Sequence, residues 1–236
     1  MKKGIILSAF ILGIAVSTGF SRDQSIEKET RNVSGFTKVN FGVSGNLYIN
    51  IGGEFKVVLE GEKRFLDEII TEVSGGKLVI KKERENWRFN MNEKITVYIT
   101  MPELNGLGVS GSGKAEIKDA VKTGDLNLSV SGSGKLYTTD ITVSSLDCGI
   151  SGSGDIVLGG NGTASRAEIS ISGSGNYDGE PLKIGSAEIH ISGSGNCTCN
   201  VTESLRASVS GSGNVTYEGN QRVDAHVSGS GKVRSR

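Results

Sequence analysis

Asp147, Glu168 and Glu188 are the residues whose types and spacing could do chemistry, because each stands four places before a Ser-Gly-Ser-Gly motif. If successive motifs stack as neighbouring strands, the three carboxylates form one outward column with about 5 Å between neighbours. That separation is close to the carboxyl pair of a retaining glycosidase. Arg206 takes the same place in the next repeat and interrupts the column. A column on an open strand face also lacks the burial that tunes a carboxyl as acid or base. The three are therefore expected to be a solvated stripe, able at most to hold a cation or a polar ligand weakly.

The other reactive side chains are sparse. His190 and His226 both precede a motif by two places and lie two repeats apart. Stacking would separate them by about 10 Å, too far to share a metal. They are the only histidines, and no Ser/His/Asp constellation can be assembled from them. Ser151-Gly-Ser-Gly-Asp155 echoes calcium-binding repeats, but Lys114, Lys135 and Lys232 occupy that offset elsewhere and would repel a cation. Cys148, Cys197 and Cys199 fall at inward offsets. Residues i and i+2 of a strand do not form an ordinary disulfide, and Cys148 is two repeats away, so all three are expected to be small core residues. Asn161-Gly-Thr163 and Asn200-Val-Thr202 fit the glycosylation sequon, in a chain where such matches arise by chance. No catalytic residue, cofactor or metal site is predicted.

The elements that must position these side chains follow from the repeat. Seven Ser-Gly-Ser-Gly copies start at Ser110, Ser131, Ser151, Ser172, Ser192, Ser210 and Ser228, in steps of 18 to 21 residues. A period near 20 marks a solenoid. The residue before each motif is β-branched (Val109, Val130, Ile150, Ile171, Ile191, Val209, Val227), and apolar or small residues recur three and five places before it. Polar residues alternate with them, so the segment reads as a strand with one buried face. Alternation resumes after the motif at Ala115, Leu136, Ile156, Tyr177, Cys197, Val215 and Val233. Each coil is thus two strands joined at a Gly-rich corner, plus a return segment of variable length. Glycine reaches φ > 0 without strain there, and serine is small enough to stack on the serine of the next coil.

The first half is less regular. Residues 20–31 read as a flexible polar linker. Segments 36–41, 47–51, 55–60, 77–81 and 95–101 read as strands, and Val43-Ser-Gly-Asn resembles a degenerate corner. Phe65, Leu66, Ile69 and Ile70 recur at helical spacing, which predicts a short amphipathic helix over Lys63–Glu72. Residues 82–93, with Trp87, are charged and irregular. This part, residues 32–104, is expected to cap the start of the repeats at 105–236, because an open solenoid end needs a cover.

Composition bounds the partners. The 26 basic and 26 acidic side chains cancel, which gives no general attraction to nucleic acid. Residues 1–19 read as a signal peptide: Lys2 and Lys3, an apolar run over 4–16, then small residues at Ala15, Ser17 and Gly19. No Cys follows that run, so an exported protein without a lipid anchor or a lasting transmembrane segment is expected.

Several segments together resemble the auto-transporter adhesin head GIN domain family, a group of secreted bacterial proteins. They are Val33-Ser-Gly-Phe-Thr-Lys-Val39, Leu47-Tyr-Ile-Asn-Ile-Gly-Gly53, Leu78-Val-Ile80, Val97-Tyr-Ile-Thr-Met-Pro-Glu-Leu104 and the Ser-Gly-Ser-Gly ladder. The resemblance implies an all-β, right-handed parallel β-helix and no defined activity. An auto-transporter also carries a membrane barrel of roughly ten-residue alternating strands, and no such pattern follows Lys232-Val-Arg-Ser-Arg236. The expected function is a non-enzymatic, exported, adhesin-like binding or scaffolding module of the periplasm or cell surface. Its flat polar face would meet a glycan or an envelope protein. A polysaccharide lyase or glycosidase on a β-helix is the rival from another class. Self-association through the last coil, whose strand edge is open, is the third reading.

Overall fold

The computed structural model describes residues 25–83, 95–219 and 221–236. The expected signal peptide and most of the irregular stretch around Trp87 lie outside them.

The repeats fold as their period requires. In chain order the strands are β1 (Ile26–Arg31), β2 (Lys38–Gly42), β3 (Gly45–Ile51), β4 (Lys56–Glu62), β5 (Ile69–Ser74), β6 (Lys77–Lys82) and β7 (Ile95–Met101), with one helical turn α1 (Lys63–Leu66) after β4. The repeat strands follow as β8 (Gly106–Gly111), β9 (Lys114–Ile117), β10 (Val121–Gly132), β11 (Lys135–Thr138), β12 (Ile141–Gly152) and β13 (Asp155–Leu158). The last six are β14 (Gly162–Gly173), β15 (Asn176–Gly193), β16 (Asn196–Gly211), β17 (Asn214–Glu218), β18 (Arg222–Gly229) and β19 (Lys232–Ser235).

Strands leading into the corners stack in parallel as β8, β10, β12, β14, β15, β16 and β18. Strands leaving them stack as β9, β11, β13, β15, β16, β17 and β19. The result is a β-solenoid whose seven corners bound about six turns. Every motif is in register with the next: Ser131 pairs with Ser151, Ser151 with Ser172, and Ser172 with Ser192. The inward columns fill one continuous core from Phe36 to Val215. The return segments are strands too. Thr123, Val143, Ala164, Ile184 and Val201 pair in sequence, and the last four are buried, which gives each coil a third side.

The two glycines of the corner have different reasons. Gly152 has φ +113°, and a Cβ on it would lie 2.5 Å from the Gly132 carbonyl oxygen of the coil before. That oxygen accepts the backbone N–H of Ser153 at 2.8 Å, so the ladder runs unbroken through the corner. Gly154 has no positive φ. Its Cβ would instead strike Val130 Cγ1 at 2.4 Å and the Gly134 oxygen at 2.5 Å, so close approach is what excludes a side chain there.

Two expectations for the first half change. Residues 26–31, read as part of a flexible linker, form β1, which pairs antiparallel with β4. The predicted helix over Lys63–Glu72 is a single turn, with Phe65 and Leu66 buried. β-Branched Ile69 and Ile70 go instead into β5, which returns on β6 through Gly75 and Gly76, at φ +57° and +71°. Two positive φ values suit a two-residue hairpin. The stacking order is also not the chain order. β2 and β3 lie between β6/β7 on one side and β8/β9 on the other. The degenerate corner at Val43-Ser-Gly is therefore a genuine coil: Ser44 Oγ is 3.1 Å from Ser112 Oγ. β4 pairs antiparallel with β7, β1 with β4 and β5 with β6, so the antiparallel pairings gather in this half of the chain.

Candidate functional site

The register builds the outer face column by column. Asn127, Asp147, Glu168, Glu188, Arg206 and Asp224 follow one another on adjacent strands. The expected acidic column thus exists, and Arg206 ends it, leaning toward Asp224 at 3.7 Å. Two residues further along the same strands runs a column of Ser129, Gly149, Ser170, His190 and Ser208. Two further again come the first serines of the motifs. Both serine columns, with Val130, Ile150, Ile171 and Ile191 between them, line a shallow, open groove of about 560 Å³. The acidic column flanks this groove, and His190 Nε2 meets Glu188 Oε1 at 3.3 Å. His190 and His226 are separated by Ser208, two strands apart as expected.

Gly149 is the exception in the groove. It has no positive φ, and a Cβ there would meet nothing within 4 Å. Neither backbone nor packing requires glycine at 149; its effect is to widen the groove between Ser129 and Ser170.

A second ordered feature was missed by the sequence reading. Past the corners, Asn214 Nδ2 donates to Asn196 Oδ1, Asn196 Nδ2 to Asn176 Oδ1, and Asn176 Nδ2 to Asp155 Oδ1, each at 3.0 Å. Lys135 Nζ closes the row on Asp155 at 3.0 Å. Partial burial works against the Asp155 carboxylate, but the bonds from Asn176 and Lys135 outweigh it and hold the group below its ordinary range. The signal was present, as Asp155, Asn176, Asn196 and Asn214 share one motif offset.

The cysteines are core residues. Cys148, Cys197 and Cys199 are free and buried. Burial, with the Asp147 charge behind it, pushes the Cys148 thiol up. Burial and a hydrogen bond with Cys199 do the same for Cys197. Tyr177 is buried beside them with no partner for its hydroxyl. Among the described residues, no three His, Cys, Asp or Glu side chains gather as a metal site would need.

A β-solenoid, here built on a Ser-Gly-Ser-Gly ladder, is the fold that its relatives share. The chain belongs to the family described as "Putative auto-transporter adhesin, head GIN domain", which matches residues 35–221. It is similar to the crystal structure of a protein from Bacteroides fragilis described as a putative adhesin, at 26% identity and TM-score 0.84, over 90% of this chain and 98% of that one. The same fold occurs in a protein from Parabacteroides distasonis described as a putative lipid binding protein (22% identity, TM-score 0.70, 91% and 98% covered). It occurs again in a putative adhesin from Parabacteroides merdae (20% identity, TM-score 0.71, 91% and 97% covered). Among curated proteins none matches.

Proposed function

We propose that this protein is a non-enzymatic, exported, adhesin-like module that binds a glycan or an envelope protein along the serine groove. The observation that carries the reading is the groove itself: an open, continuous trough of about 560 Å³ spanning several coils. Its hydroxyls both donate and accept, and its repeats suit weak contacts that add along an extended ligand. Family membership and the resemblance to the Bacteroides adhesin structure support export to the envelope. The carboxylates that an enzyme would need sit on the exposed margin, outside any enclosed cleft that could exclude water around a reacting bond.

A glycan array run beside a reducing-sugar release assay tests this. Binding without release is expected; release of reducing ends from any bound glycan would overturn the non-enzymatic reading.

Self-association is a second reading. Val223 and Val227, which stand in inward columns, are each 37% exposed on β18. Light scattering that shows a monomer at high concentration would contradict it.

A further inference from the structure

Three of the five tyrosines share one outward column on the sheet beyond the corners, away from the groove. Tyr98 pairs with Tyr48, Tyr48 with Glu116, and Glu116 with Tyr137. The Tyr48 and Tyr98 rings stack with centroids 5.7 Å apart and planes at 26°. Tyr98 is 39% exposed, and Tyr48 and Tyr137 are half-buried. Glu116 therefore forms the floor between Tyr48 and Tyr137, which lie two strand spacings, about 10 Å, apart. Lys118 Nζ sits over Tyr48 at 5.0 Å, and Lys114 Nζ over Tyr137 at 4.8 Å. Both ammonium groups reach back to Glu116, at 2.6 and 3.9 Å.

We propose that the space between Tyr48 and Tyr137 is a second ligand site, and that it takes a pyranose ring of a neutral glycan. A gap of about 10 Å between ring centres leaves room for one sugar ring after each aromatic takes its half-thickness. The C–H face of a sugar is apolar and faintly positive, which matches the negative face of an aromatic ring. The two lysines that now cover those faces are long and exposed, so they can swing aside without losing buried contacts.

Charge selects the neutral partner. Around the column Lys28 pairs with Glu60, Lys118 and Lys114 share Glu116, and Lys135 pairs with Asp155. Asp119 accepts from Asn50 and from the Ile51 backbone. The four lysines and four carboxylates cancel, so no net field draws a polyanion. Alternating donors and acceptors suit hydroxyl groups, which do both. A protein partner would want a packed apolar anchor pocket, whereas this surface is a single row of rings between solvated charges.

Affinity electrophoresis in gels containing laminarin, mannan or dextran, with alginate as the anionic control, tests the site. The expected result is retardation in at least one neutral gel. It should weaken about tenfold in Tyr48→Ala and in Tyr137→Ala, the loss of one aromatic contact. Tyr48→Phe and Tyr137→Phe, which keep the rings, should retain it. Retardation in alginate only, none in any neutral gel, or alanine variants retarded as strongly as the parent would overturn the proposal. Loss in Gly149→Tyr with retention in the tyrosine variants would assign the glycan to the groove and overturn only the second site. Far-ultraviolet circular dichroism confirms that each variant is folded.

Discussion

Gly152→Ala and Gly149→Ala should behave in opposite ways, although the two positions lie three residues apart on one strand. At Gly152 the backbone has φ +113°, a conformation that costs an alanine about 1–3 kcal/mol. The new Cβ would also lie 2.5 Å from the Gly132 oxygen and 3.2 Å from its carbonyl carbon and Cα. That backbone cannot retreat, because the Gly132 oxygen holds Ser153 N and the Gly152 oxygen holds Ser174 N, each at 2.8 Å. Overpacking of this kind adds about 1–3 kcal/mol, so a total near 4 kcal/mol is expected. Gly149 has ordinary φ and open space, and alanine there should be neutral or stabilising by up to about 1 kcal/mol. Urea unfolding followed by circular dichroism reads both differences from the midpoints. If Gly152→Ala fell within about 0.5 kcal/mol of the parent, the range typical of ordinary surface substitutions, or if both variants lost the same stability, the argument that the corners are backbone-locked would fail.

Tyr177→Phe removes a buried hydroxyl that has no partner and should stabilise by about 1 kcal/mol. Because a Cβ at Gly179 would lie 2.3 Å from that hydroxyl and 2.6 Å from Cε1 and Cζ of the same ring, Gly179→Ala should stay destabilising in the Phe background and be relieved only in part, a coupling that a double-mutant cycle would detect. Asp155 has a carboxyl held below its ordinary 3.8, so its contribution is fully present above that pH and is lost as pH falls through the lower folded value. Asp155→Asn should therefore flatten the acid limb of a stability–pH profile; an unchanged limb would refute the amide row as a stabilising element. Ellman's reagent should find no reactive thiol in the native protein and three in denaturant, since Cys148, Cys197 and Cys199 are all buried. Rapid native labelling of any one would contradict their place in the core.

What could be read from the sequence was whatever repeats. A single motif offset assigned Val130, Ile150 and Ile171 to the core, and placed Asp147, Glu168 and Glu188 in one column, because stacked coils force like residues above like. The first half obeys no such rule. There, tertiary pairing overrode local periodicity: Ile69 and Ile70 fit a helical pattern but were drawn into β5 by β6. The insertion of β2 and β3 between later strands leaves no mark on the sequence. The groove was invisible for a different reason. Offsets say which way Ser129 or Gly149 points, but concavity depends on the angle at which each coil bends. The tyrosine column crosses from β7 to β11 through strands stacked out of chain order, so no repeat period could align Tyr98 and Tyr48 with Tyr137.

The most direct test of the account compares the parent protein with Gly149→Tyr on the same glycan and envelope-protein array. The substitution fits the backbone and places a large ring in the groove without touching the core. The account predicts unchanged stability, no released reducing sugar with either protein, and loss of groove-dependent binding in the variant. Equal binding by both proteins of every ligand on the array, including those whose binding survives Tyr48→Ala and Tyr137→Ala, or turnover of a bound glycan by the parent, would contradict it.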